Sequence, residues 1–571
     1  MVAAGGAAAV SGLAASCFAQ AVSISAATSA LRASLVFIDR YPKEKQEWFE
    51  NNTNEFRRSA SPYGSLPTNS IESTVVLKQP GELSVVQDMD RRLFVFTVQR
   101  TIAWRGVIWQ AKGEPEMKMS DVGSRAELIP SLDAAFGPHL ESVCTRSAQA
   151  LAASGFGGLL VHSGSPHMIF EDDQPYPFQV NAPFKVWVPV CDVPDSFIYF
   201  QPGSRPQLLF HSPPDYWHKP TALPQAYWTR HFDIVGIADR EAARKALPKS
   251  LSTTAYIGDA FPELAGWGVS AVNPADLVRR LDFVRAAKTP YEIECMREAN
   301  RRGALGHNAA SRAFQAGASE FEIELAFLRA CGLREQELPY NPIIALNDGG
   351  AVLHYQVLER QPPAQRHSLL IDAGAEFGGY ASDITRTHSL RDPDFAALIH
   401  AMDAMQQTLC AGIRAGVDWR DVHLRAHQLT ATLLRDADIT SVSPEEAVAT
   451  GVSSVFLPHG IGHLLGLQVH DVGGFMRAAE GGEIPRPPGH PFLRLTRVLQ
   501  EGFVVTMEPG IYFNEQLLNA AKGDSRGAGI NWPRVDLFRR FGGIRIEDNL
   551  AVTANGCENL TRDGFAAVGG L

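Results

Sequence analysis

Beyond about residue 274 the chain opens with helices and closes with strands, and that order most constrains its fold. Thr289-Pro290-Tyr291-Glu292 offers a capping Thr, a first-turn proline and a Glu at the third helical position. That is a capping box, in which side chain and backbone satisfy each other's free N–H groups. Ser319-Glu320-Phe321-Glu322 repeats the signal for a second helix. Strands are expected at residues 368–372, 380–388, 503–507 and 543–547. Helices followed by strands indicate an α+β domain, in which antiparallel strands can present side chains from one face.

Upstream the texture changes twice. Residues 131–275 read as a smaller mixed α/β domain, with a helix over 132–153 and a buried strand at 157–162. Further strand-like runs fall at 184–190, 196–200, 207–210 and 256–258. Residues 1–130 form an extension with no clear pattern of elements: a Ser/Pro/Asn-rich passage over 59–70 and strand-like runs at 93–98 and 102–109. A chain of 571 residues is expected to divide in this way, here into 1–130, 131–275 and 276–571.

Composition closes off several function classes. A net charge of −10, with Lys and Arg scattered, gives no basic stripe for nucleic acid or an anionic membrane. The seven cysteines lie far apart without a CxxC pair, which fits reduced thiols in a cytoplasmic protein and neither a disulfide framework nor a thiolate metal site. No apolar run is long enough to cross a bilayer. The Ala/Ser/Gly-rich start has no basic residue before Arg32, as a secretory signal would need.

The chemistry gathers in four segments of the last domain. Asp372 and Asp383 flank a Gly-containing turn, which reads as a hairpin. A turn centred between Phe377 and Gly378 would set the two carboxylates directly opposite, about 5 Å apart at Cβ. Carboxylates that close repel unless protons or cations lie between them, and two metal ions would fit. Ordinary turn-flanking Asp residues are the alternative. Next, His459, His463 and His470 fall within twelve residues. His459 and His463 have zincin spacing, but Gly460 stands where the general-base Glu would be, which excludes that mechanism. Buried histidines bonded to carbonyls are the other reading. Glu508 ends an apolar strand before a Pro-Gly turn. Arg545 and Glu547 share one face of a strand whose other face carries Ile544 and Ile546; structural salt bridges would explain both segments equally. Taken together, this oxygen-rich set with imidazole suits Mn²⁺, Co²⁺ or Zn²⁺ and disfavours a thiolate metal.

These segments, in this order, resemble the pita-bread metallopeptidases (family M24), and among them the bacterial prolidases, or Xaa-Pro dipeptidases, with their organophosphorus-acid-hydrolysing relatives. The resemblance runs from about residue 132 to 563. It includes Phe170-Glu171-Asp172-Asp173-Gln174-Pro175-Tyr176-Pro177-Phe178, Ala351-Val352-Leu353-His354-Tyr355, the Asp372/Asp383 hairpin, the run from His459 to Phe475 and Gly542–Asn549. It implies a pita-bread catalytic domain behind a smaller α/β domain, and two divalent ions per subunit, Mn²⁺ first among Mn²⁺, Co²⁺ and Zn²⁺. Asp372 would bind one ion, Asp383 and Glu547 would bridge both, and His463 and Glu508 would bind the other. A hydroxide held between the ions would attack the scissile carbonyl, with Glu508 also as general base. His354 and His470 would steady the carbonyl oxygen and the tetrahedral intermediate, while His459 and Arg545 would receive the substrate's C-terminal carboxylate. Tyr340, Leu353 and Val469 would line the small pocket. Asp173 would reach the neighbouring site of a homodimer and meet the substrate's free amine.

The implied activity is hydrolysis of dipeptides with C-terminal proline, with a side activity on organophosphorus esters. An aminopeptidase P, a methionine aminopeptidase or a metal-free pita-bread binding module are the alternatives. One departure stands out: relatives carry Tyr where Trp419 stands, in a pocket wall, which bears on the preferred N-terminal residue.

Overall fold

The computed structural model describes residues 130–570 apart from 220, and before them only the backbone of strands at Ser34–Leu35, Glu72–Gln79, Glu82–Met89 and Arg92–Val98. The chain divides into two compact units, residues 1–116 and 117–571. In the first, Glu82–Met89 pairs antiparallel with both Glu72–Gln79 and Arg92–Val98, so this region holds a meander where the sequence offered only isolated runs. The expected strand at 102–109 lies outside the described residues.

The second unit begins with helix α1 (Pro130–Ser154) and a six-stranded mixed sheet: β1 (Gly158–His162), β2 (Phe197–Phe200), β3 (Gln207–His211), β4 (Asp233–Ile237), β5 (Thr254–Ile257) and β6 (Ala271–Val272). Its order is β6-β5-β1-β2-β3-β4, with an antiparallel centre and parallel flanks. The run at 184–190 is not a strand. It starts in a short helix, Ala182–Lys185, because Pro183 fits a helical first turn and the buried Phe184, Trp187 and Val188 pack as a plug in the core.

Helix α2 (Ala275–Arg285) leads into α3 (Pro290–Ala316) and α4 (Glu320–Cys331), both started by the expected capping boxes. The antiparallel set β7 (Ile343–Leu346), β8 (Ser368–Asp372) and β9 (Thr385–Ser389) follows, then α5 (Pro393–Ala411) and α6 (Trp419–Asp436). A two-part ribbon closes the domain. β10 (Val504–Met507) pairs with β13 (Asp548–Val552), and β11 (Gly510–Tyr512) pairs with β12 (Gly543–Arg545). Among the described residues, no helix is long and apolar enough to cross a membrane, and the six cysteines there are free.

Candidate metal centre

The Asp372/Asp383 hairpin forms, but its register differs from the expected one. Phe377 pairs with Tyr380 and Asp372 with Thr385, so the turn is Gly378-Gly379, both with positive φ (59° and 92°). Two glycines together supply the left-handed pair that a tight two-residue hairpin turn requires, and this fixes the centre one residue later than expected. Asp372 and Asp383 are therefore diagonal, not opposed. Because the shift moves the pairing by two, both still face the same side. Gly374 leaves the space across from Asp383; a Cβ there would overlap the Ser382 carbonyl and lie 2.8 Å from the Tyr340 ring.

The two glutamates come from a single interruption of the ribbon. Between Met507↔Asp548 and Gly510↔Arg545 lie Glu508-Pro509 on one strand and Ile546-Glu547 on the other. Pro509 has no N–H to continue the ladder, and Glu547 leaves its partner to bridge Thr385 instead. Ile544 and Ile546 face the core, as the alternation predicts, while Arg545 and Glu547 face the site. The segment carrying His463 runs beside β10. Glu508 donates its N–H to Ile461 O (2.9 Å) and Thr506 to His463 O (3.0 Å), which places the His463 ring beside the Glu508 carboxylate.

His463 Nδ1 donates to its neighbour's carbonyl, Leu464 O, at 3.0 Å, which leaves Nε2 to face the carboxylates, through a proton or, with a cation in its place, through a lone pair. That atom lies 3.4 Å from Asp383 Oδ2 and 3.6 Å from Glu508 Oε1. One ligand atom each from Asp383, His463 and Glu547 falls within 4.8 Å of the others. Glu508 flanks this trio through His463. Asp372 stands on the other side, accepting from Tyr340 Oη (2.9 Å) and Arg545 Nη2 (2.7 Å). Asp383, His463 and Glu547 thus meet in one buried place, with the partly buried Glu508 and Asp372 on its flanks.

The electrostatics of that place are unbalanced. Four carboxylates share one guanidinium, Arg545. Burial drives Glu508 up to about 7, with Asp383 and Asp372 adding and His463 and Arg545 opposing. Glu547 is raised well above the usual carboxylate range by burial, then by Asp383, Glu508 and Asp372. Burial and Asp383 raise Asp372 against Arg545. Burial also acts to raise Asp383, but the hydrogen bond and charge of His463 outweigh it and hold Asp383 low. A cluster this acidic, with an imidazole nitrogen aimed into it, fits divalent cations.

The remaining expected residues fall into three groups. His459 is engaged at both nitrogens: Nδ1 with Gly460 O at 2.7 Å and Nε2 with Tyr512 Oη at 2.9 Å. Burial, then Arg545 and His354, keep it neutral with a pKa of about 4 despite the Gly460 bond. Arg545 spends one N–H on each of Tyr512 (2.7 Å), Asp372 (2.7 Å) and Thr385 (3.1 Å), and two of its five donors remain. His354 and His470 are exposed at the rim, the latter edge-on to His463 with ring centroids 4.4 Å apart. Leu353 packs by Tyr512, and Val469 lies against the main core. Asp173 sits apart from the cluster, on an exposed loop where it accepts from Gln174 Nε2 at 3.3 Å.

Trp419 is not in a pocket wall. It is 0% exposed, inside a core cluster with Leu457, Ile461 and Met507, because it opens α6 on the face that packs behind Gly462. Three residues were missed. Thr385 donates to Glu547 (2.6 Å), Tyr512 joins His459 to Arg545, and Asn549 Oδ1 receives the Asp383 N–H at 2.9 Å. Thr385 was within reach, since it stands two residues after Asp383 and so shares its face. Tyr512 and Asn549 act across strands whose register is not readable from the chain.

Two family models match in tandem: the N-terminal domain of Xaa-Pro dipeptidase over residues 134–283 and metallopeptidase family M24 over residues 294–554. An Xaa-Pro dipeptidase of Stenotrophomonas maltophilia (strain K279a) is 50% identical over 438 residues, covering 76% of this chain and 98% of that protein. The chain belongs to metallopeptidase family M24. A second relative, the Xaa-Pro dipeptidase of Xanthomonas axonopodis pv. citri (strain 306), is 48% identical over 439 residues, 77% of this chain and 99% of that one. Among solved structures, an Asp271Ala variant of Escherichia coli aminopeptidase P superposes with a TM-score of 0.57 at 21% identity, over 75% of this chain and 94% of that one. Pseudomonas aeruginosa aminopeptidase PepP gives 0.56 at 22%, over 74% and 95%. At those identities the likeness establishes the fold of this M24 chain. The chain is thus a family M24 metallopeptidase built of an α/β N-terminal domain and an α+β catalytic domain.

Proposed function

We propose that this M24 enzyme hydrolyses dipeptides with C-terminal proline, at a centre of two divalent metal ions held by Asp372, Asp383, His463, Glu508 and Glu547. The observation that carries the reading is the convergence of four carboxylates, Asp383 and Glu547 buried and Asp372 and Glu508 partly so, and one imidazole nitrogen beside the single side-chain guanidinium of Arg545. The relatives at about half identity bear the name Xaa-Pro dipeptidase. Bound divalent ions would supply a water of lowered pKa and polarise the scissile carbonyl. An oxygen-rich set favours Mn²⁺, with Co²⁺ or Zn²⁺ as substitutes.

The chain's own groups do the rest. Glu508 takes up the proton released by the attacking water and returns it to the proline nitrogen. His354 and His470 donate to the oxygen on which charge develops. The two free donors of Arg545 receive the substrate's carboxylate, and His459 steadies that guanidinium through the shared Tyr512 hydroxyl. Tyr340, Leu353 and Val469 border the proline ring. Asp173 reaches its amine from the partner subunit of a homodimer, consistent with an exposed loop on which Phe170 is 85% exposed. Slow hydrolysis of organophosphorus esters at the same centre, and a cytoplasmic setting, belong to the same reading.

The test is hydrolysis of Ala-Pro, Leu-Pro and Ala-Pro-Ala after dialysis against chelator and readdition of Mn²⁺. Metal-dependent cleavage of the dipeptides alone is expected. Cleavage of the tripeptide at its Xaa–Pro bond would make the enzyme an aminopeptidase P.

A further inference from the structure

A second cluster of metal-ligating side chains lies behind the carboxylate centre and takes no part in the proposed reaction. His423 and His427 stand one turn apart on the same face of α6, and His490 reaches them from the loop Pro487-Pro488-Gly489-His490-Pro491. One ring nitrogen from each lies within 4.8 Å of the others. The three ring centroids are 4.8, 4.6 and 4.6 Å apart, with planes at 83°, 89° and 59°. Rings so inclined are not stacked face to face.

Hydrogen bonding leaves this cluster incomplete. His423 Nε2 lies 2.9 Å from His490 Nδ1, and His427 Nδ1 lies 3.2 Å from Ser453 Oγ. His427 Nε2 and His423 Nδ1 are buried without a partner, on side chains of residues each 1% exposed. Buried polar atoms are nearly always satisfied, so His427 Nε2, orphaned inside the trio, calls for a partner that accepts its lone pair. Ser453 is placed as an outer partner: with Nδ1–H of His427 given to its hydroxyl, the Nε2 lone pair turns inward. His423 faces the trio with Nε2, the atom beside His490 Nδ1.

We infer that His423, His427 and His490 hold a Zn²⁺-class ion, distinct from the carboxylate-rich centre in its all-imidazole ligand set. Three neutral imidazoles suit Zn²⁺, with Zn–N about 2.0–2.1 Å, and disfavour the harder, oxygen-seeking Mn²⁺. Tetrahedral nitrogens at that radius are about 3.3 Å apart, so the 2.9 Å His423–His490 pair needs only side-chain rotation to open. Burial, with the neighbouring imidazoles, holds His423 at about 2 and His427 at about 3, so both carry lone pairs at neutral pH. His490 is only half-buried, which gives the ion access from solvent and a fourth position for water.

The ion would be a brace. On the His490 loop, Leu493 and Phe492 pack against Gly460, while Trp419, one turn before His423 on α6, packs against Gly462. Tying loop to helix therefore clamps from both sides the backbone that presents His459 and His463.

The experiment measures Zn²⁺ bound per tag-free full-length chain by equilibrium dialysis, in an Asp383→Asn/Glu547→Gln background that disables the carboxylate centre. That background makes the result independent of whether the carboxylate centre holds metal or cleaves dipeptides. It should retain one Zn²⁺, which also raises its Tm. Adding His490→Asn or His427→Gln should remove both the ion and the Tm rise. His490→Asn alters a half-exposed loop residue, and circular dichroism in chelator should match the background. A background that binds no Zn²⁺, or binding that survives both histidine substitutions, overturns the inference.

Discussion

Asp471→Asn isolates a buried charge cluster that anchors the site without touching it. Asp471 accepts from Arg285 (2.6 Å) and Lys288 (2.9 Å), and the three side chains are 1%, 9% and 1% exposed. Its N–H is bonded to Leu464 O, and Arg285 also donates to Gln468. The segment between His463 and His470 is therefore pinned to the junction of α2 and α3. Burial alone would raise this carboxyl; the charges of Arg285 and Lys288 more than reverse it and hold Asp471 at about 2, from 3.8. A depression of that size corresponds to about 2.4 kcal/mol between ionised and neutral forms. Removing the charge outright also leaves two buried cations without their counterion, for which about 3–5 kcal/mol is the usual cost. Because the folded pKa is depressed, the contribution is complete above about pH 4 and lost as pH falls through about 2. Urea unfolding followed by tryptophan fluorescence should place Asp471→Asn about 3–5 kcal/mol below wild type near pH 7. The gap should narrow on acidification below about pH 4. A loss under about 1 kcal/mol, or one that does not narrow, would show that the cluster's attraction only balances its desolvation.

Glu508→Gln should lower kcat for Ala-Pro by at least about 10²-fold at saturating Mn²⁺, with the fold intact by circular dichroism; retained activity would remove Glu508 from the chemistry. Tyr512→Phe takes the shared partner from His459 and Arg545, and a lost bond to a charged group predicts a fall in kcat/KM of about 10- to 100-fold. If KM carries none of that fall, Arg545 does not meet the substrate's carboxylate. Gly462→Ala would drive a Cβ into the Thr506 carbonyl and to 2.7 Å from the Trp419 ring; since His463 is the next residue, Mn²⁺ affinity should drop at least about tenfold by dialysis. Chelator treatment should make unfolding occur at lower temperature by calorimetry, because four carboxylates lose what neutralises them, and Mn²⁺ should reverse it; an unchanged Tm would argue against bound ions in the folded enzyme.

What the chain disclosed in advance follows from how local each signal is. Capping boxes are decided within four residues, and both helices start where Thr289 and Ser319 indicate. Period-two alternation is equally local, so Arg545 and Glu547 were set on the site face and Ile544 and Ile546 in the core. The hairpin register was not, because it depends on which two residues adopt positive φ. The tract Phe377-Gly378-Gly379-Tyr380 admits more than one centre until packing chooses Gly378-Gly379. The error did little harm, since a two-residue displacement preserves the face. Trp419 failed for a different reason: whether a large ring lines a pocket or fills a core depends on what backs it. Here that is Gly462, some forty residues away in sequence.

The same distinction explains why the histidine trio escaped notice. His423 and His427 are legible as an i, i+4 pair on a helix, but a pair of helical histidines is commonplace until a third arrives. His490 arrives from a proline-bounded loop whose path is set by Leu493 and Phe492 seating on Gly460. That glycine belongs to the His459–His463 segment, so the contact that builds the trio also supports the reactive centre. The glycines of that segment therefore serve closeness and not flexibility: α6 lies against one, the His490 loop against another, and a side chain at either would push a carboxylate-facing histidine out of place. Rigidity here comes from two neighbours pressing on bare backbone. It follows that substitutions at Trp419 or Leu493, far from any substrate, should act on metal affinity before they act on specificity.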